Sequence, residues 1–238
     1  EAKKENPFFL FVGLMAPHTP SSPEPGFEGK SPVGVYGDFV MNTDACIGRI
    51  RQHLRKAGLE KNTLLMVSSD HGPGHYSGPE RKAIANQMKI MEKQGHFSRG
   101  PWRGYKFSGY EGGLRVPFAA AWPGVISPGT ENDALVGLVD LMATWAEVAG
   151  VKLAPSLAPD SFSFLPYLAN KKPLVRNHLL ARGTRADVYY EDKWKLILGP
   201  GSGSSGPFFT EPKSEDAWKE ALVEFGRTPK NHKELENP

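Results

Sequence analysis

Only one cysteine, Cys46, occurs in the 238 residues, which excludes an internal disulfide framework and leaves the compartment open. No apolar run reaches the roughly 18 residues that cross a bilayer, so no membrane span is expected. Charge of neither sign dominates: 29 basic against 26 acidic side chains give +3. With no basic stripe interleaved with aromatics, nucleic acid is not an expected partner. Internal repeats are absent, and so is any recognisable activated nucleophile. The chain opens Glu1-Ala2-Lys3-Lys4-Glu5-Asn6, without methionine or signal peptide, and runs at once into an apolar segment. It is therefore read as starting in mid-protein, and the missing signal does not imply a cytoplasmic address.

What is present suits a soluble globular protein: 39% hydrophobic and 23% charged residues, in a length that buries a full core. The 21 prolines and 26 glycines point to long, shaped loops. Residues 7–14 form a continuous apolar run, as expected of a strand buried on both faces of a parallel sheet, and end in a Pro-rich loop carrying His18. Apolar residues at helical spacing from Tyr36 to Leu54 predict a helix over 36–57, stopped by Gly58. Residues 63–68 read as a second buried strand, with Asp70 just beyond it. That order predicts a right-handed parallel crossover, and in such sheets sites form past the carboxyl ends of strands.

Residues 72–104 read as a long insertion holding a short helix near 80–92, and 115–122 as a third strand closed by Pro123-Gly124. Leu138, Leu141, Trp145, Val148 and Ala149 mark an amphipathic helix ending at Gly150. Phe8, Phe9, Trp122 and Trp145 are core residues by pattern. Beyond residue 176 the pattern changes to an antiparallel hairpin, Val188-Tyr189-Tyr190 and Trp194–Leu198, then a Gly/Ser tract over 199–206 and a helix near 215–225. The expected class is α/β: part of a large mixed, mainly parallel sheet flanked by helices, with a small C-terminal antiparallel subdomain. The expected division is 1–175 and 176–238.

Chemistry-bearing groups cluster in three short runs. In Ser69-Asp70-His71-Gly72 a carboxylate and an imidazole stand at a strand end, where Asp70 can hold a divalent cation or simply cap the turn. His71 is either a second ligand or a hydrogen-bonded loop histidine, and its nitrogen leaves the metal open. A zinc pair of His71 with His75 would need a helix that Gly72-Pro73-Gly74 forbids. Lys106, in Gly104-Tyr105-Lys106-Phe107-Ser108-Gly109-Tyr110-Glu111-Gly112-Gly113-Leu114-Arg115-Val116-Pro117, precedes a glycine-hinged turn that can bring its ammonium toward an anion. Glu111 and Arg115 are expected to brace that loop. His18, within Pro17-His18-Thr19-Pro20, is either a general acid for an ester leaving group or a loop brace. Arg103 is a candidate substrate contact, with a surface salt bridge as the plainer alternative.

These runs, in this order, with Tyr36-Gly37-Asp38, Trp122-Pro123-Gly124 and Lys193-Trp194-Lys195-Leu196-Ile197, resemble the sulfatase family of the alkaline-phosphatase superfold over about residues 7–200. The resemblance implies a sulfuric ester hydrolase acting on a small-molecule or glycan sulfate ester. It implies a divalent cation held partly by Asp70 and His71, usually calcium, with magnesium or manganese as alternatives. It makes Lys106 the grip on sulfate oxygens and His18 the group at the bridging oxygen, both catalytic and substrate-binding. By the same resemblance the protein is exported (periplasmic or extracellular) or lysosomal.

The family's nucleophile is a formylglycine made in a Cys/Ser-x-Pro/Ala-x-Arg run. Here Asp44-Ala45-Cys46-Ile47-Gly48-Arg49 lacks that spacing, and the N-terminal acidic ligands are also missing. The chain is accordingly expected to be the C-terminal part of a sulfatase, inactive alone, with the formylglycine upstream. Two alternatives remain: a phosphodiesterase or phosphonate monoester hydrolase of the same superfold, and a non-catalytic sulfated-glycan-binding remnant. Lys106 and the Glu111-Gly112-Gly113 turn favour the sulfatase.

Overall fold

A computed structural model describes residues 6–82, 87–169, 176–182, 186–199 and 202. The helix expected after the Pro-rich loop is α1, Val35–Lys56, with Gly58 just past its end at φ 70°. Its first turn is set by Asp38, whose carboxylate accepts from the Gly29 and Ser31 amides at 2.9 and 2.7 Å and so folds the preceding loop back on the helix. The strand β1, Leu65–Ser68, follows, and Asp70 lies two residues past its end. Downstream come α2 (Gln87–Lys93), α3 (Glu111–Leu114), β2 (Phe118–Ala121), α4 (Leu141–Val148) and α5 (Leu165–Leu168). A C-terminal sheet of β3 (His178–Arg182), β4 (Asp187–Glu191) and β5 (Trp194–Ile197) ends the described chain. The expected hairpin is its β4–β5 pair, with Val188 opposite Ile197.

No parallel sheet is found among the described residues. Among the described residues every strand pairing is antiparallel: β1 with β2, from Leu65 opposite Ala121 to Ser68 opposite Phe118, and β3–β4–β5 in order. Residues 7–14 form no strand, and Phe9, Leu10 and Phe11 are 66, 66 and 75% exposed. An extended apolar run becomes a strand only when a neighbour takes up its backbone hydrogen bonds, and none of the described residues does so here. Phe8 and Phe9 are therefore not core residues, although Phe9 meets Trp145 of α4 edge-on at 5.1 Å. In the insertion, α2 occupies the end of the expected 80–92 helix. The expected 215–225 helix lies outside the described residues, as does most of the 199–206 tract.

A small core positions the site. Tyr36, Met88, Met91 and Tyr105 pack together, tying α1 and α2 to the lysine-bearing loop. Leu179 and Val188 of the C-terminal sheet are buried, as is Phe164, whose ring meets Phe118 of β2 edge-on at 5.7 Å. Asp140, buried and ion-paired with Arg176 at 2.6 Å, also accepts from the Gly137 and Phe162 amides.

Candidate functional site

His18 stands in a loop with cis peptides at Ala16–Pro17 and Thr19–Pro20. Its Nδ1 lies 2.6 Å from the Thr19 carbonyl oxygen. A carbonyl only accepts, so the ring hydrogen is on Nδ1 and Nε2 presents its lone pair. Lys106 Nζ donates to that Nε2 at 2.9 Å across 88 residues of sequence, and the Tyr76 hydroxyl lies 3.2 Å from the same atom. The ammonium is also 5.2 Å from the centre of the Phe107 ring and 5.8 Å from that of Tyr76.

Turn geometry fixes Lys106. Gly104 (φ 83°) and Phe107 (φ 79°) are both left-handed, a conformation that costs a non-glycine residue about 1–3 kcal/mol. The Lys106 amide donates to Pro73 O at 2.9 Å, and the Gly72 amide to Gly113 O at 2.9 Å. The loop of Asp70 and the loop of Lys106 are thus joined backbone to backbone. A Cβ on Gly72 would lie 2.8 Å from the Gly112 carbonyl carbon, and one on Gly113 would lie 2.5 Å from the carbonyl oxygens of Tyr105 and Ser108. Only glycine fits at these crossings.

Asp70 Oδ2 and His71 Nε2 face each other at 3.0 Å, and His71 Nδ1 donates to Gly72 O at 2.8 Å. That backbone bond orients the ring and turns Nε2 toward the carboxylate, the arrangement by which metal-ligating histidines are commonly fixed. Two acceptor atoms held this close need a proton or a cation between them. The donor set therefore fits part of a cation site, and among the described residues no cluster of three or more His, Cys, Asp or Glu completes it.

Glu111 is braced from a quarter the sequence does not show. Lys195 Nζ donates to its Oε1 at 2.6 Å and the Tyr190 hydroxyl at 3.0 Å, both from the C-terminal sheet, while Arg115 is 3.9 Å away. Burial pulls the Lys195 ammonium below the usual lysine range against the pull of Glu111, and burial with the Glu111 charge pushes the Tyr190 hydroxyl up. Behind Lys106, burial and the Glu92 carboxylate push Tyr105 up to about 12; its hydroxyl donates to Glu92 at 2.7 Å.

His18 and Lys106 are therefore brought together, and Asp70 and His71 form a pair on the adjoining loop. Arg103 is seated on the Tyr110 ring, its guanidinium carbon 4.1 Å from the centroid. Tyr76 was not foreseen, because an aromatic in a long insertion has no sequence signature.

The sulfatase family profile matches residues 1–151. An N-acetylgalactosamine-6-O-sulfatase of Bacteroides thetaiotaomicron is 34% identical over 195 residues, 82% of this chain and 37% of that protein. Rat steryl-sulfatase is 37% identical over 165 residues, 69% of this chain and 27% of the enzyme. Human N-acetylgalactosamine-6-sulfatase is 31% identical over 180 residues, 76% of this chain and 32% of the enzyme. A solved 6S-sulfatase from Bacteroides thetaiotaomicron glycosaminoglycan metabolism superposes with TM-score 0.71 at 33% identity, over 81% of this chain and 39% of its own. The likeness shows the α/β class. The chain spans between about a quarter and two fifths of the length of the relatives it matches.

Proposed function

The chain belongs to the sulfatase family, and on that premise we propose that it carries the sulfate-gripping part of a sulfuric ester hydrolase site, together with two of its cation ligands. The observation that carries this reading is the meeting of Lys106 Nζ with His18 Nε2 at 2.9 Å, from loops far apart in sequence. A sulfate ester placed there sets its non-bridging oxygens against the ammonium. As the S–O bond to the alcohol breaks, the electron pair stays on the bridging oxygen. His18 Nε2, whose lone pair faces Lys106 Nζ, delivers a proton to that oxygen after taking one up, the ring passing through the imidazolium.

The family uses a divalent cation; bound beside Asp70 and His71, it would supply Lewis-acid stabilisation of the oxygens that gain charge. Calcium is the metal proposed. It takes about 6–8 oxygen donors, so the two residues here are a minority of its shell. The remaining donors and the formylglycine nucleophile are assigned to polypeptide outside this chain. The exposed run of Phe9, Leu10 and Phe11 supports that assignment, as an apolar segment that the described residues leave largely uncovered. Two of the relatives are named for a 6-sulfated amino sugar, which favours a sugar sulfate as the substrate.

The test is hydrolysis of sulfate esters by the complete enzyme, by its His18→Ala and Lys106→Ala forms, and by the 238-residue chain alone. Each substitution is expected to lower kcat/KM by about 10²–10³ with the fold intact, and the isolated chain to be inactive. Turnover of phosphonate monoesters without turnover of sulfate esters would overturn the reading, as would unchanged kinetics in both variants.

A further inference from the structure

We infer that Tyr76 is a substrate-binding residue of this site: its hydroxyl, held beside His18 Nε2 and Lys106, donates to an oxygen of the bound sulfate group. The inference rests on the sulfatase reading and adds a contact to it. His18 Nδ1 is committed to the Thr19 carbonyl, so Nε2 has a single lone pair, and two donors converge on it: Lys106 at 2.9 Å and Tyr76 at 3.2 Å. One lone pair cannot serve both fully. The exposed hydroxyl, at the longer distance, is the donor available to a ligand oxygen. A tetrahedral anion against Lys106 brings oxygens that accept from the ammonium and the phenol together, and frees Nε2 to take up the proton it delivers to the bridging oxygen.

The placement of Tyr76 is built rather than incidental. Gln87, 1% exposed, donates from Nε2 to the Tyr76 carbonyl at 3.1 Å, and the Ser77 amide closes a turn onto Gly74 O at 2.9 Å. The ring lies so close over Gly74 that a Cβ there would be 2.8 Å from its Cζ. The His75 ring, itself buried, meets it edge-on at 5.2 Å. Backbone and ring are thereby fixed while the hydroxyl points at the two candidate catalytic side chains.

The experiment compares wild type, Tyr76→Phe and Tyr76→Ala in the complete enzyme. It measures kcat, KM and the inhibition constant of inorganic sulfate. A hydrogen bond from a neutral donor to an anion predicts that Tyr76→Phe raises KM and the sulfate inhibition constant about tenfold. kcat should change less than in His18→Ala, and Tm should be unchanged. If Tyr76→Phe matches an active wild type in both constants, the Tyr76 assignment falls and the sulfatase reading stands. If the wild type turns over no sulfate ester, that reading falls, and calorimetric titration with inorganic sulfate decides Tyr76. About tenfold weaker binding in Tyr76→Phe then upholds the contact, and equal affinity, or none in either protein, overturns it.

Discussion

Replacing Glu111 by glutamine keeps the side chain's shape and removes the charge that Lys195 meets at 2.6 Å. Lys195 and Glu111 are 19 and 28% exposed, so the ammonium is left largely buried without its counter-ion. Breaking a fully buried pair costs about 3–5 kcal/mol; the remaining exposure here reduces that to about 2 kcal/mol. For a chain of this length that is a fall in Tm of about 4–8 °C. The deficit has a predictable pH dependence. The folded Lys195 already titrates below its unfolded range because it is buried, and Glu111 opposes that displacement. Without Glu111 the folded value drops further, so the unfolded state binds more protons over a wider interval and the variant gains stability as pH rises through it.

The gap between wild type and Glu111→Gln is therefore largest near pH 7 and narrows toward pH 9.5. Above that, Tyr190, raised by burial and by Glu111, pulls in the opposite sense and is best avoided. Denaturant titrations of the wild type, Glu111→Gln, Lys195→Met and the double variant, at both pH values, give the magnitude and the coupling. A coupling below about 0.5 kcal/mol, or a gap that widens with pH, would refute the reasoning.

Two further outcomes follow from the loops. Gly112→Ala would place a Cβ 2.7 Å from the Arg103 carbonyl oxygen; the forced separation should cost at least about 3 kcal/mol by thermal denaturation and abolish activity in the complete enzyme. Asp70→Ala should raise the calcium concentration for half-maximal activity by about 10–100-fold or more, with full recovery at saturating metal excluded if Asp70 is a direct ligand.

The sequence was most legible where local chemistry decides the outcome. The spacing from Tyr36 to Leu54 with Gly58 behind it is a helix in any context, and the β4–β5 hairpin needs only its own turn. Lys106 before a glycine turn and Asp70 past a strand were also readable, since strand ends and positive-φ turns leave local marks. Partnership was not readable. Residues 7–14 carry the apolar run of an inner strand, yet strand pairing depends on neighbours that periodicity cannot name. β1 was expected to lie in a parallel crossover and instead pairs antiparallel with β2, 50 residues downstream, which the same periodicity allows equally. For Glu111 the nearby Arg115 looked like the partner, but the shorter contacts come from Tyr190 and Lys195, 79 and 84 residues away.

Because the Gly72 amide meets Gly113 O and the Lys106 amide meets Pro73 O, the carboxylate–imidazole dyad and the ammonium ride on a single fused scaffold. The separation of the two loop backbones is then set by peptide hydrogen bonds, and only the side chains they carry are left to adjust the interval between the dyad and the ammonium. On the proposed reading the two loops act as one gauge for the anionic head group, and discrimination among the portions trailing behind it falls to the outer loops.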